Sequence, residues 1–518
     1  MENFELAKQC FYEGVAHLER AEYALAEARF NESLKQVPDR VSTLTNLASA
    51  LIKQDKIGAA KDICLKVLSI ENDSPEGWLN LGLVQAKEGD HVEALKSFDK
   101  VAAGDTEFAE VWLNKGISLR ELARHEEAAA CLRQSIGIQP ANAVAHFNLG
   151  LTLEALDQTD SALTSYSSAI GIDPGFMAAK YQIFSLHLAN LADVNLIERL
   201  GAEFAAGWSR RQIDAIRRHR ELSDFRMLHE LEQTGYLLGL GYESEALVRV
   251  NACLQKIYTE NLAGRGHSVA TQKFPLSAGA VEDIVRHWEN PVRYTISSTI
   301  GSCLNVDKNW HEVEEQYFSS SPEMIVIDDF LSPEALTELR KFCLVSTVWK
   351  KEFRKQYLGA FPEDGFVSPL HVRIADELKR KMPRVFGPHR LEQTWGFKYT
   401  SRMGGGINVH ADFARVNMNF WITPDEANLD PASGGLVVYD TPCPPSWGFR
   451  EYNQDEKAIY AFLEKHGARS TRVPYKCNRA VLFNSSLFHE TDKIEFREGY
   501  ENRRINITYL FGKGLKTH

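Results

Sequence analysis

Residues 78–98 read WLNLGLVQAKEGDHVEALKSF, with Gly82, Ala94 and Phe98 at fixed offsets. The triplet recurs every 34 residues. Gly14, Ala48, Gly116 and Gly150 take the glycine place, and Ala26, Ala60, Ala128 and Ala162 the alanine place. Phe30, Cys64, Leu132 and Tyr166 stand where Phe98 stands. Pro38, Pro140 and Pro174 each follow eight residues later, and Trp78 and Trp112 sit four before their glycines. Small residues at two places let paired helices approach closely, a large residue fills the gap, and proline stops the second helix. A period of this length marks a stack of helical hairpins.

In residues such as Trp78, Leu81, Gly82, Ala94 and Phe98 the register resembles the tetratricopeptide family, with five units over residues 1–175. The resemblance implies an all-α solenoid whose groove takes an extended peptide or a partner protein, with scaffolding or self-association as the alternative. Beyond Pro174 the register decays, and 176–257 are read as degenerate or capping helices. Arg210, Arg211, Arg217, Arg218 and Arg220 form a basic run there, read as a solvated helix face. Residues 258–320 are read as a linker region with one or two short helices. HEVEE at 311–315 lacks a second histidine four residues on and is no zinc motif.

A chain of 518 residues is too long for one compact domain, and about three units are expected. With 44% hydrophobic and 25% charged residues it is neither a disordered nor a membrane-embedded composition. A net charge of −11 argues against nucleic acid as a general partner. The start MENFELAKQC has no basic segment followed by an apolar run, and no stretch suits a membrane span, so a cytoplasmic protein without a membrane partner is expected. The eight cysteines show no C-x-x-C spacing and read as reduced, mostly buried thiols.

From 321 to 518 the pattern changes to strands. MIVIDDF (324–330) precedes an amphipathic helix capped by Ser332, and short β-rich runs follow: TWGFKYT, ARVNMNFWITP, GGLVVYDT, RAVLFN and RRINITYLFG. Many short strands bounded by turns suggest a sandwich or jelly roll. INVHADFARV (407–416) carries His410 and Asp412, whose side chains share one side of an extended segment. His489 follows another apolar run. Two histidines and one carboxylate on one face of a metal leave three positions open, the facial arrangement of non-haem Fe(II) oxygenases. On RRINITYLFG, alternation puts Arg504, Asn506 and Thr508 on one face, and a buried arginine wants a carboxylate. Asn417, Asn419 and Trp421 share another strand face and are candidates for lining a pocket.

The ordered set His410-x-Asp412, His489, Arg504-x-Asn506-x-Thr508 resembles the Fe(II)/2-oxoglutarate-dependent dioxygenases, nearest in layout to prolyl-4-hydroxylase-like members. The resemblance implies a double-stranded β-helix (jelly-roll) domain with flanking helices. It implies Fe(II) on His410, Asp412 and His489, with 2-oxoglutarate and O₂ as co-substrates. Arg504 would pair with the distal carboxylate of 2-oxoglutarate, Asn506 stands where the family often has serine, and Tyr399 would touch the co-substrate; Asn419, from the pocket-lining strand face, is a further candidate to bind it, with plain packing as the alternative. The fifteen-residue gap from His489 to Arg504 is longer than usual, which leaves Arg503 and Arg497 as rivals. Gly404–Gly406 form a turn without a reading, and PCPPSW (442–447) with GFREYN (448–453) reads as a loop over the site. The implied activity is hydroxylation of a C–H bond on a protein or peptide recruited by the repeats. The alternatives are a small-molecule oxygenase that uses the repeats for assembly, and a non-catalytic adaptor with a vestigial barrel.

Overall fold

The computed structural model describes the chain apart from residues 1, 103–107, 262–271, 297–299, 354, 404–405 and 516–518, together with the side chains of 2, 205–209, 211 and 402–403. The turn glycines 404 and 405, the Arg211 side chain and parts of the 258–320 stretch therefore lie outside the described residues. The chain divides into two compact units, Met1–Ile183 and Phe184–His518.

In the first unit, ten helices among the described residues form five hairpins, from Glu2–Glu19 with Tyr23–Gln36 to Ala143–Ala155 with Thr159–Ile172. The alanine and large residues of every repeat, from Ala26 and Phe30 to Ala162 and Tyr166, are fully buried. A Cβ on Gly14 would lie 2.5 Å from the Phe30 ring and one on Gly116 2.7 Å from Leu132. Gly82 meets Phe98, and Gly150 meets Tyr166, in the same way. The glycine is thus the seat of the large residue sixteen positions on. Helices end at Gln36, Ile138 and Ile172, two residues before each proline, because the residue preceding proline disfavours the helical region. The turn inside each hairpin holds one left-handed residue, again every 34 positions: Ala21, Asp55, Gly89, Ala123 and Asp157, with φ between 56° and 85°.

The second unit begins with helices rather than strands. Val194–His219, Asp224–Gly239, Glu245–Asn261 and Ala278–Glu289 bury Ile213, Met227, Val250 and Ile284 in a common core with Phe274. The helices read as the end of the stack, and the first helix of the stretch read as linker, pack here because their apolar faces meet one another and continue no 34-residue register. Two short strands, β1 (Glu221–Ser223) and β2 (Lys273–Pro275), pair antiparallel beside this core.

The remaining strands are β3 (Met324–Ile327), β4 (Lys351–Phe353), β5 (Tyr357–Ala360), β6 (Leu391–Tyr399), β7 (Arg402–Met403), β8 (Ala414–Trp421), β9 (Leu436–Pro442), β10 (Ser470–Val473), β11 (Ala480–Asn484), β12 (Leu487–Thr491), β13 (Ile494–Glu495) and β14 (Ile505–Lys513). Seven form one antiparallel sheet in the order β3-β11-β8-β14-β6-β5-β4. Three form a smaller sheet, β10-β9-β12, and β13 pairs with β7. Residues of both larger sheets share one core: Phe397, Trp421, Val481 and Phe483 from the seven-stranded sheet meet Leu436, Val438, Val473 and Leu487 from the three-stranded one. The helix Pro333–Val345 is capped by the Ser332 side chain, which accepts from Ala335 N. Among the described residues no helix is long and apolar enough to cross a membrane. All eight cysteines are free thiols; six are buried, and Cys253 and Cys477 are half-buried.

Candidate metal centre

His410 and His489 are brought side by side by the backbone. Each donates its N–H to the other's carbonyl, at 3.0 and 2.8 Å, in an isolated antiparallel bridge between the segment before β8 and strand β12. Asp412 N bonds to Ser485 O just before β12, which fixes the carboxylate two residues on from His410. The two rings lie 4.3 Å apart between centroids. Nδ1 of His410 lies 2.7 Å from Asn408 O and Nδ1 of His489 3.0 Å from Leu487 O. Those contacts call for N–H on Nδ1, so both Nε2 lone pairs are free. They turn toward the Asp412 carboxylate, 3.9 Å away for His410 and 3.4 Å for His489. One donor atom from each of the three residues lies within 4.8 Å of the others.

The electrostatics keep this set in ligand-ready form. Burial, reinforced by His489, pushes His410 down to about 4, so its imidazole is neutral near pH 7. Burial raises the Asp412 carboxyl, but His489, His410 and the Asn417 amide outweigh it and hold it below its ordinary value. Asn417 Nδ2 donates to Asp412 Oδ2 at 2.7 Å.

His410, Asp412 and His489 also line a small chamber of about 30 Å³. Its floor is the start of β14 and the residue before it, where Arg504, Asn506 and Thr508 line it in alternation, and Tyr399 and Asn419 line it from the neighbouring strands. Arg504 is 1% exposed. Its Nε donates to Gly434 O at 2.6 Å, Nη2 to Gly435 O at 3.2 Å and Nη1 to Asn506 Oδ1 at 3.1 Å. Its guanidinium lies over the Tyr399 ring, 4.8 Å from the centroid. These hydrogen bonds use three of its five N–H groups, the Tyr399 hydroxyl is a further partner, and Asp492 acts on it from beyond ion-pair distance. Asn417 Oδ1 and Asn419 Oδ1 are also buried without a partner among the described residues. A buried guanidinium with no carboxylate at ion-pair distance among the described residues suits an anionic ligand, whereas the two amide oxygens call for a hydrogen-bond donor beside them.

Of the three candidate arginines, Arg504 lines the chamber. Arg503 pairs with Glu232 at 2.6 Å, and Arg497 is exposed. Trp421 shares its strand face with Asn417 and Asn419 but packs under Arg504 and against Tyr475. The GFREYN segment forms the short helix Phe449–Asn453, and Phe449, Tyr452 and Asn453 line an outer cleft. PCPPSW is a packing element, with Trp447 against Phe462 and Phe488.

Three features escaped the sequence. The Gly434 and Gly435 carbonyls hold Arg504, and a Cβ on Gly435 would run into the Val473 carbonyl. Thr491 closes the chamber from β12. The aromatic wall on β4, β5 and β6 leaves one trace in the sequence, Phe353, Tyr357 and Phe361 at every fourth residue.

Residues 113–175 match the tetratricopeptide repeat family. The N-terminal part of the chain is a helical tetratricopeptide solenoid, followed by a sheet-rich region. No curated protein matches the chain. Solved structures similar to it include TTC0263, a thermophilic tetratricopeptide protein of Thermus thermophilus, at 18% identity over 35% of this chain and 99% of that one, with a TM-score of 0.32. Others are YrrB, described as having an unusual peptide-binding site, at 20% over 33% and 89% with a TM-score of 0.28, and MamA of Desulfovibrio magneticus, at 17% over 33% and 96% with a TM-score of 0.29.

Proposed function

We propose that the sheet-rich region is a double-stranded β-helix acting as an Fe(II)- and 2-oxoglutarate-dependent oxygenase, which hydroxylates a C–H bond on a protein or peptide recruited by the repeats. The observation that carries this reading is the shared chamber. Two Nε2 atoms and a carboxylate converge within 4.8 Å in its lining, and so does line it a buried arginine with no carboxylate at ion-pair distance among the described residues. Two nitrogens and one oxygen on one face suit Fe(II) and leave positions for co-substrates.

His410, Asp412 and His489 would hold the iron. Arg504 would hold the distal carboxylate of 2-oxoglutarate, with Asn506, Tyr399 and Asn419 orienting the rest. Bound iron with 2-oxoglutarate and O₂ supplies the oxidation, R–H and O₂ giving R–OH while 2-oxoglutarate leaves as succinate and CO₂. The protein's own part is positional. The Asn408 and Leu487 carbonyls fix the imidazole tautomers, Asn417 steers the carboxylate, and the aromatic walls keep water from the reacting C–H. Tetratricopeptide repeats bind peptides or proteins, which is the support for a macromolecular substrate.

The test is anaerobic titration of the full chain with Fe(II) and then 2-oxoglutarate, read by visible absorbance. A weak charge-transfer band, lost in His410→Ala and weakened in Arg504→Ala, is the expected outcome. A chain that binds neither iron nor 2-oxoglutarate overturns the proposal and leaves an adaptor.

A further inference from the structure

Outside the chamber, the same His410 and Asp412 border an open cleft of about 760 Å³. One wall is a run of rings carried by β4, β5, β6 and the turn after β5. Phe353 stacks on Tyr357 at 4.6 Å, Tyr357 on Tyr399 at 5.4 Å, and Phe397 packs edge-on against both Phe353 and Tyr357. Phe361 and Trp395 complete it. Gly359 is the pivot of this wall, since a Cβ there would come within 2.8 to 3.2 Å of Phe353, Phe361 and Phe397. Phe413, Phe449 and Tyr452 also line the cleft.

Charge is distributed unevenly around these rings. Lys351 Nζ lies 4.8 Å over Phe361 and 5.4 Å over Phe353, and Lys355 lines the cleft beside it. Neither lysine has an ion pair among the described residues, and the one carboxylate in the lining is Asp412, already committed to the metal triad. Glu363 and Asp364, the acids that act on Lys351 from the turn after β5, sit outside the lining, and burial pushes both carboxyls up. The other polar lining groups are the amides of Gln393, Asn408, Asn453 and Gln454, the hydroxyls of Tyr357 and Tyr452 and the ring nitrogens of Trp395 and His410; Asn408 Nδ2 donates to Glu456 Oε2 at 2.7 Å, outside the lining.

Register fixes the scale. Lys351 stands opposite Gly359, Gly359 opposite Phe397 and Phe397 opposite Asn506. Three strand spacings separate the Lys351 row from the chamber floor, about 14 Å of sheet. That distance corresponds to roughly four residues of extended chain, more than a compact metabolite spans.

We propose that this cleft binds an acidic peptide segment that lays a large apolar side chain on the aromatic wall and sets a carboxylate, about four residues from the reacting position, against Lys351 and Lys355. The catalytic consequence rests on the oxygenase reading; the binding itself does not.

The experiment separates the two. Ten-residue fluorescent peptides carry one phenylalanine and, four residues away, either two glutamates or two lysines; a third replaces the phenylalanine by alanine. Binding to the metal-free full chain is followed by anisotropy. The glutamate peptide is expected to bind at least about tenfold tighter than either of the others, a difference of about 1.4 kcal/mol. The Lys351→Glu/Lys355→Glu variant should invert the charge preference, and Phe361→Ala should erase the phenylalanine preference. Both should retain the Fe(II)/2-oxoglutarate band of the native chain. Equal binding of the glutamate and lysine peptides to the native chain overturns the proposal. So does an unchanged preference in the double variant, which would assign the binding to the repeats. Loss of the band in the native chain would instead sink the oxygenase reading and leave the peptide result standing.

Discussion

The repeats and the sheet-rich unit hold together by contacts of opposite reach. In the repeats the decisive contact, glycine against the large residue sixteen positions on, closes inside a single hairpin and is repeated with small variation. In the sheet-rich unit the decisive contacts span most of the domain: Arg504 reaches Gly434, 70 residues back, and His410 exchanges hydrogen bonds with His489. Local closure makes stability nearly a sum over neighbours. Distant closure makes every strand a condition for the site. Damage in the first region should therefore stay where it is made, and damage in the second should reach the His410, Asp412 and His489 cluster.

The harshest test of that difference is Gly82→Val. The new side chain drives into the fully buried Phe98 ring, and overpacking of this kind should cost the repeats up to about 3 kcal/mol. Urea unfolding should show the loss while Fe(II) affinity stays at the native value. A parallel fall in iron affinity would break the separation drawn here. The converse is Asn417→Ala, which removes the amide that steers Asp412. Iron affinity should drop by about 10- to 100-fold, the usual effect of losing a group that orients a ligand, with the unfolding of the repeats unmoved. Equal affinity in variant and native chain would show that Asp412 needs no steering.

The same contrast explains what was legible in the sequence. Five copies at 34-residue spacing announce themselves, because one local rule is written five times. Alternation on β14 makes the face of Asn506 and Thr508 legible and favours Arg504 over Arg503, whereas His410 and Asp412 precede β8 and are set by backbone bonds to His489 and Ser485. The backbone bridge between the histidines is not legible, since its partners lie 79 residues apart and a main-chain pairing leaves no side-chain signal. Nor are the carbonyls of Gly434 and Gly435, which carry no side-chain signal. Strands β4 and β5, three and four residues long, are too short to show alternation, so alternation does not reveal the aromatic wall. The helices between 184 and 289 lack a repeat register, and nothing in their pattern said which unit they join.

A pH series sharpens the comparison on the sheet side. Asp364 is 1% exposed, both its oxygens lack a hydrogen-bond donor among the described residues, and burial pushes it up to about 7. Its carboxyl holds a proton in the fold over a range where the unfolded chain, titrating near 3.9, has released it. The folded state then binds more protons, so this group makes stability fall as pH rises from about 4 to about 7, by at most about 1.4 kcal/mol per pH unit. Asp364→Asn should flatten that slope in the unfolding of the sheet-rich unit; an unchanged slope would remove Asp364 from the account. The smallest effect belongs to the repeat turns. Ala123 holds φ at 56°, which costs a residue with a Cβ about 1 kcal/mol. Ala123→Gly should relieve that strain and, after the added freedom of the unfolded chain, raise the stability of the repeats by about 0.5 kcal/mol, read from the urea midpoint. A lowered midpoint would mean that the turn is not strained.

The place of β14 has a consequence for synthesis. It pairs with both β6 and β8 in the middle of the seven-stranded sheet, yet it is the last of these strands in chain order. While a ribosome extends the chain at about 5–20 residues per second, each repeat hairpin can pack as soon as it emerges. The sheet must wait with a gap at its centre until residue 513 is free. Arg504 arrives with that strand, so neither the floor of the chamber nor its cation exists on a nascent chain. A chain released early would carry finished repeats and a sheet that lacks its central strand.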